Sequence, residues 1–580
     1  MIALNFVGGL RYNVNNRFHY ADSLTFIRGR HMMKTGGQFL RQQANVFYAG
    51  NNGRIGFMRF TGQYTAGPNA SRPVSKGLTE ADFVLGYPTS LGRGIAAGLW
   101  GQRKSVVGAY FQDDWRVTGS LTLNLGIRWE YHSPYVEVAD RQPNFEVFTG
   151  RFLQAGKDGV PRKLYDSYTR AWQPRVGLAW TPEFLGKKTV LRAAYTISSY
   201  LEGMGVGERL TLNPPYATEY AAIYDGFANV GSTVSQGFSV LRATDLFKGA
   251  SNKMWDQRFR PSDVQQWSFV AERQLPIDTL VSAGYIGQHG THLCGRPYYG
   301  QKRLLPDRTV ALSPYIAGNP SLLLAANVRG TSSDYSQQHH SLQTSLRKKF
   351  SRGLEYQVSY TWSKGMSDSI GFYGERGQAA AQNAHSQNVY DRRAEWGPTY
   401  FDAAHIFTFH GAYDLPLGRG MAFGSGWRPV LNGIAGNWRL SGMLTLRTGF
   451  PLTITALDRS GPVSGRPRPD PIADGRGSRE VGAGASWFDE SAFRQPVAGT
   501  FGTSGVGVVR GPGLRNLDVS LQKSFPVRES KRFEFRAEFF NLSNTPIFNA
   551  PDRAVNSATF GEVTAAQGER NIQLALKFHF

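Results

Sequence analysis

Cysteine is almost missing. The 580-residue chain has one, Cys294, so no intrachain disulfide can staple it, and cysteine usage leaves the redox compartment open. Long apolar runs are missing as well. Stretches such as Leu322 to Val328 fall far short of the roughly 18 residues a spanning helix needs, so in a membrane this chain must cross as strands. Acid is scarce beside base, with 43 Asp+Glu against 65 Lys+Arg and a net charge of +22. That excess raises nucleic acid as a partner, but the basic residues are scattered among alternating aromatics, with no basic tail or run of five. No nucleic-acid partner is expected. There is no repeat at about 40 to 50 residues, which counts against a soluble propeller.

What is present is alternation. The last ten residues, 571–580, place Ile572, Leu574, Leu576, Phe578 and Phe580 on one face of a strand and Asn571, Gln573, Lys577 and His579 on the other. About ten residues is also the length of a tilted strand crossing a bilayer. A chain this long exceeds one ordinary soluble core of about 50 to 200 residues. A large barrel, wetted by lipid outside and water inside, escapes that limit. The 67 glycines and 13% aromatics suit many strands joined by turns.

The pattern predicts strand pairs at 16–43, 106–131, 173–197, 264–289 and 341–363, then strands at 403–413, 437–448, 515–524, 531–540 and 571–580. Segment 57–64 is either a strand or part of a loop, and the Asp82-Phe83-Val84-Leu85-Gly86 stretch predicts a helical turn within a loop. Connections at Gly29-Arg30, Thr118 to Ser120, Glu183 to Lys187, Pro276 to Thr279, Ser351 to Gly353 and Pro526 to Lys531 are short. Those at 132–172, 198–263, 290–340 and 449–513 are long, polar and structureless by composition. Short turns on one rim and long loops on the other mark an outer-membrane barrel, with the turns in the periplasm. The basic balance then suits loops facing an anionic lipopolysaccharide leaflet. The fold expected is all-β: a transmembrane antiparallel up-and-down β-barrel, represented by about fifteen strands of the 22 found in the largest transporter barrels.

Several stretches resemble the TonB-dependent outer-membrane transporters, in particular the Oar-like group with a carboxypeptidase-regulatory-like domain. They are Tyr110-Phe-Gln-Asp-Asp-Trp-Arg-Val117, Leu121-Thr-Leu-Asn-Leu-Gly-Ile-Arg-Trp-Glu130, Tyr360-Thr-Trp-Ser-Lys364, Tyr413-Asp-Leu-Pro-Leu-Gly-Arg-Gly420, Arg536-Ala-Glu-Phe-Phe-Asn-Leu-Ser-Asn544 and the terminal Phe580. The resemblance implies a 22-stranded barrel, a plug, contact with the TonB complex through that plug, and uptake of a large or scarce substrate of unknown identity. It also implies that Phe578 and Phe580 are read by the barrel-assembly machinery. Residues 1–580 carry the barrel part only, without a plug or regulatory-like domain. The amino terminus lacks a basic n-region and a small-residue cleavage site, so the chain is expected to be the carboxy-terminal portion of a longer protein. A passive, plugless porin is the alternative, and a soluble secreted β-protein a more distant one.

No catalytic constellation, cofactor or metal site is expected. Asp113 and Asp114 are neighbours on a strand and face opposite ways, so they cannot share a proton. His289, His292 and Cys294 have spacing suited to a soft metal but no second ligand cluster. His339-His340 reads as solvated loop. Gly203-Met-Gly-Val-Gly207 lacks the lysine and setting of a phosphate loop. Arg532, Glu534, Arg536 and Glu538 share the polar face of one strand. They are candidates to line a permeation path or meet a plug, with cross-strand charge pairing as the plain alternative.

Overall fold

The structure, a computed structural model, describes residues 2–5, 12–50, 52–65, 77–96, 98–201, 208–223, 233–238, 251–315, 317, 327–369, 371, 386–462, 465–477, 479–482, 484–528 and 531–580. The Gly203–Gly207 run, most of 322–328, and residues 529–530 of the last short turn lie outside them.

Val, Leu, Phe, Tyr and Trp at every second position hold the chain in long strands, because a pleated strand sends them all to one side. The main sheet has eighteen strands, three of them short segments at Val136–Glu137, Ser251–Trp255 and Gly397–Pro398. The remaining fifteen form a meander. They are β1 (Tyr12–Arg28), β2 (His31–Phe47), β3 (Trp100–Arg116), β4 (Leu121–His132), β5 (Tyr168–Trp180), β6 (Thr189–Tyr200), β7 (Ser262–Leu275) and β8 (Thr279–Gly295). Then come β9 (Asn327–Ser351), β10 (Leu354–Ser367), β11 (His405–Asp414), β12 (Trp438–Arg447), β13 (Leu514–Arg528), β14 (Lys531–Phe540) and β15 (Asn571–His579). Each pairs antiparallel with the next.

Register keeps like with like. Phe533, Phe535, Ala537 and Phe539 on β14 lie opposite Phe578, Leu576, Leu574 and Ile572 on β15, and Glu534 and Glu538 lie opposite Lys577 and Gln573. A slip of one residue would turn every apolar side chain to the other face, so the pattern itself fixes the pairing. The short connections close tightly. At Arg352-Gly353 both residues have positive φ, 52° and 78°, as a two-residue hairpin turn requires. Thr118 Oγ1 accepts from the backbone N–H groups of Ser120 and Leu121, which sets the corner between β3 and β4.

One open alternative is settled and two expectations change. Segment Phe57–Phe60 is a strand of a separate four-stranded sheet with Ile2–Asn5, Ser90–Ala96 and Ala217–Ile223. His339 and His340 fall inside β9, a strand of 25 residues, and Tyr285 Oη lies 2.8 Å from His340 Nδ1. The described parts of the long connections are also folded, because their scattered aromatics meet across sequence. Tyr135 and Tyr165 pack with Leu210, Trp255, Phe259 and Cys294 in one core, and Ile454, Phe488, Phe493 and Phe560 form another. The helical turn expected near Asp82 is α1 (Thr79–Leu85).

Candidate functional site on the polar face

The polar side chains of β9 to β14 converge. Arg347, Glu355, His410, Ser441, Asp518 and Glu538 line one cavity of about 560 Å³. For side chains from six successive strands to border one space, the sheet must curve around it, so the polar face is concave and the apolar face convex. The arrangement is held by charge and amide pairs. Arg439 donates to Glu355 at 2.5 Å, Asn516 donates to Asp518 at 3.0 Å, and the Asn541 amide donates to Asp518 at 2.8 Å. A second cluster on this face centres on Glu130, which accepts from Arg128 at 2.6 Å and from Gln173 at 3.0 Å and lies 3.2 Å from His132.

Of the four charges singled out on β14, Arg536 sits between Glu534 at 2.8 Å and Glu538 at 3.4 Å. His579 of β15 lies 3.3 Å from Glu534. Pairing therefore runs along β14 as well as across to β15, and Glu538 also borders the cavity. Arg532 stands opposite Pro526 and His579 at the short-connection end. Phe578 stacks on Phe580 at 6.0 Å and tilts against Phe533 at 4.8 Å, leaving Phe580 91% exposed.

Asp113 and Asp114 do face apart. Asp113 meets His31 Nδ1 at 2.7 Å on the apolar side, and Asp114 accepts from Asn124 at 2.6 Å on the polar side. Cys294 is buried in the aromatic loop core, and among the described residues no three His, Cys, Asp or Glu side chains gather as metal ligands would.

Above the long-connection rim, side-chain amides stand in for backbone. Asn213 donates to the carbonyls of Pro143 and Lys253 and accepts from the Lys253 amide. Asn144 grips Trp255 through both its carbonyl and its amide. Buried ion pairs Lys253–Glu219 at 3.0 Å and Arg468–Glu395 at 2.8 Å tie distant loops together. Burial pushes the Glu137 carboxyl up, but the amides of Gly101, Arg141 and Ala139 and the Arg141 guanidinium outweigh it and hold it below the usual 4.5.

A family model described as outer membrane beta barrel domain matches residues 4–573. The chain belongs to this family. It is an outer-membrane β-barrel protein, and its convex apolar face is the lipid-facing wall. The soluble secreted alternative is thereby set aside. No curated protein matches the chain. Among solved structures, the outer membrane transporter YddB from Escherichia coli is similar at a TM-score of 0.48 and 9% identity, with 98% of this chain and 54% of that one covered. The siderophore receptor PirA from Acinetobacter baumannii is similar at 0.44 and 10%, with 98% and 55% covered. The ferric citrate transporter FecA is similar at 0.39 and 11%, with 99% and 56% covered. The chain thus spans about half the length of these proteins.

Two features escaped the alternation pattern. The cavity draws on strands far apart in sequence, which no local periodicity reveals. Lys523, by contrast, carries a legible signal: it occupies the apolar register of Val519, Leu521 and Phe525, a charge out of phase.

Proposed function

We propose that residues 1–580 are the carboxy-terminal barrel portion of a TonB-dependent transporter of the Oar-like group. Such a barrel takes up a large or scarce substrate across the outer membrane with energy from the TonB complex, and is not an enzyme. The observation that carries this reading is strand parity. In an antiparallel meander, β1 and β15 run the same way, and among the described residues β1 pairs with β2 alone and β15 with β14 alone. Direct closure would be parallel, whereas barrels of this kind close antiparallel with even strand numbers. An odd number of further strands is needed, and seven brings the total to the roughly 22 of large transporters.

In this reading the concave face, with Glu534, Arg536 and Glu538, lines the lumen and meets a plug carried by the longer protein, which contacts TonB. Arg532 marks the periplasmic end of the same wall. The folded loops face lipopolysaccharide and capture the substrate, whose identity the residues do not specify. Phe578 and Phe580 present the assembly signal. Electrophoresis with and without heating tests the proposal. The 580-residue chain alone should show no heat-modifiable barrel band, and a chain extended by the upstream reading frame should show one. A heat-modifiable band from the 580-residue chain alone, with steady conductance in planar bilayers, overturns the proposal in favour of a passive porin.

A further inference from the structure

The connection between β11 and β12 differs from every other on the short-turn rim. It runs for residues 415–437 and carries a helix, α2 (Pro429–Ala435). This helix is built the wrong way round for water. Val430, Leu431 and Ile434 fall within about 100° of arc and are 74%, 47% and 67% exposed. The polar Asn432 points the other way, into the connection, where its side-chain oxygen accepts from the Arg419 amide at 2.7 Å. Met421 and Phe423 of the same connection are exposed as well.

The helix is fixed to the lipid-facing side of the wall. Lys523, the charge out of phase on β13, lies opposite Trp438 and Phe535 in the apolar register. It is buried, and its ammonium donates to the carbonyls of Asn432, Ile434 and Gly436 at the carboxy-terminal end of α2. Trp438 donates from Nε1 to the Ile434 carbonyl at 2.9 Å. Lys523 is therefore no stray charge in the membrane. It is a pin that holds the helix end against the outer wall by satisfying carbonyls that the helix leaves open.

We propose that residues 415–437 form an interfacial anchor that inserts the Val430–Leu431–Ile434 face into the phospholipid of the periplasmic leaflet. The exposed Arg419 and Arg428 would then stand at the depth of the lipid phosphates. The occupant is a phospholipid surface because the exposed helix face continues the lipid-facing wall to which Lys523 ties it. The inference rests on the barrel orientation proposed above, with short connections in the periplasm.

Spin labelling tests it in the chain extended by the upstream reading frame. In a Cys294→Ser background, labels are placed at Leu431→Cys and Ile434→Cys, with Phe269→Cys as the wall reference and Asp307→Cys as the aqueous loop reference. The probes are vesicles of phosphatidylethanolamine with phosphatidylglycerol, and the readout is collision with oxygen against a water-soluble nickel chelate. The labels at 431 and 434 should fall near the wall reference, and Lys523→Met should raise the mobility of the 431 label while leaving the 269 label unchanged. If the 431 and 434 labels match the 307 reference while the 269 label remains in lipid, the anchor is refuted and the barrel stands. If the 269 label also reads as aqueous, the wall orientation fails and takes the anchor with it.

Discussion

Replacing Phe269 by arginine separates a lipid-facing wall from a water-facing one. Phe269 lies near the middle of β7, in the apolar register between Ala193 and Tyr285, and is 51% exposed. Beside water, so exposed a site tolerates substitution within about 0.5 kcal/mol. Beside acyl chains, an arginine near mid-membrane costs about 2–4 kcal/mol, which corresponds to roughly a 30- to 700-fold loss in the folding equilibrium. Gln266, three residues earlier, sits on the polar face between Thr196 and Gln288, so Gln266→Arg meets water and should change stability by less than about 0.5 kcal/mol. Urea titration of refolding into phosphatidylcholine vesicles, with the chain extended by the upstream reading frame, measures both variants against the parent. The reasoning is refuted if Phe269→Arg falls within about 0.5 kcal/mol of the parent, or if Gln266→Arg is the more damaging change.

At the turn between β7 and β8, Ile277 holds φ at 60° while 60% exposed, a left-handed conformation that a β-branched side chain resists. Ile277→Asn should stabilise the protein by about 1 kcal/mol in the same titration, and a loss would show that the isoleucine packs usefully. Glu395→Ala leaves Arg468 buried without its carboxylate. It should destabilise the loop core by about 3–5 kcal/mol, seen as lost hydrogen-exchange protection in the connections that Arg468 joins while the membrane strands keep theirs. Glu137 has its folded-state value below 4.5, so its contribution is complete above that pH and disappears as pH falls through the lowered value. Limited proteolysis of residues 133–167 should therefore quicken on acidification, and Glu137→Gln should remove the dependence. Equal pH response in both proteins would refute the linkage.

The barrel was legible because its information is local. Period-two alternation in 121–130 or 571–580 needs no partner to be read, and each short turn announces itself through residues such as Arg352-Gly353. The folded loops were not legible, because what folds them is not local. Asn144 grips Trp255 across 111 residues, and Arg468 reaches Glu395 across 73, and neither pairing leaves a mark on its own neighbourhood. Those stretches read as structureless polar loop because Gly and Pro interrupt them and their apolar residues keep no period-two spacing. The site on the polar face falls between these cases. Its charges were visible on β14, but the cavity they border exists only once β9 to β14 curve together. Lys523 was readable as an anomaly, although its meaning required knowing where the end of α2 lies.

Membrane residence and strand parity bear on each other. Along β1 and β15 the outward backbone groups have no strand partner among the described residues. In hydrocarbon each such group costs several kcal/mol, so an open edge of this length cannot rest against acyl chains. The edges cannot satisfy one another antiparallel, because β1 and β15 point the same way. A second copy in the same membrane orientation offers the same polarity at its own edges and fails for the same reason. A parallel seam would pair these edges directly, but bacterial single-chain barrels close antiparallel with even strand numbers, so in the reading proposed above an insert of odd strand number meets β1 on one side and β15 on the other. On that proposal, the apolar wall that places this chain in the outer membrane is sealed by backbone beyond the fifteen strands.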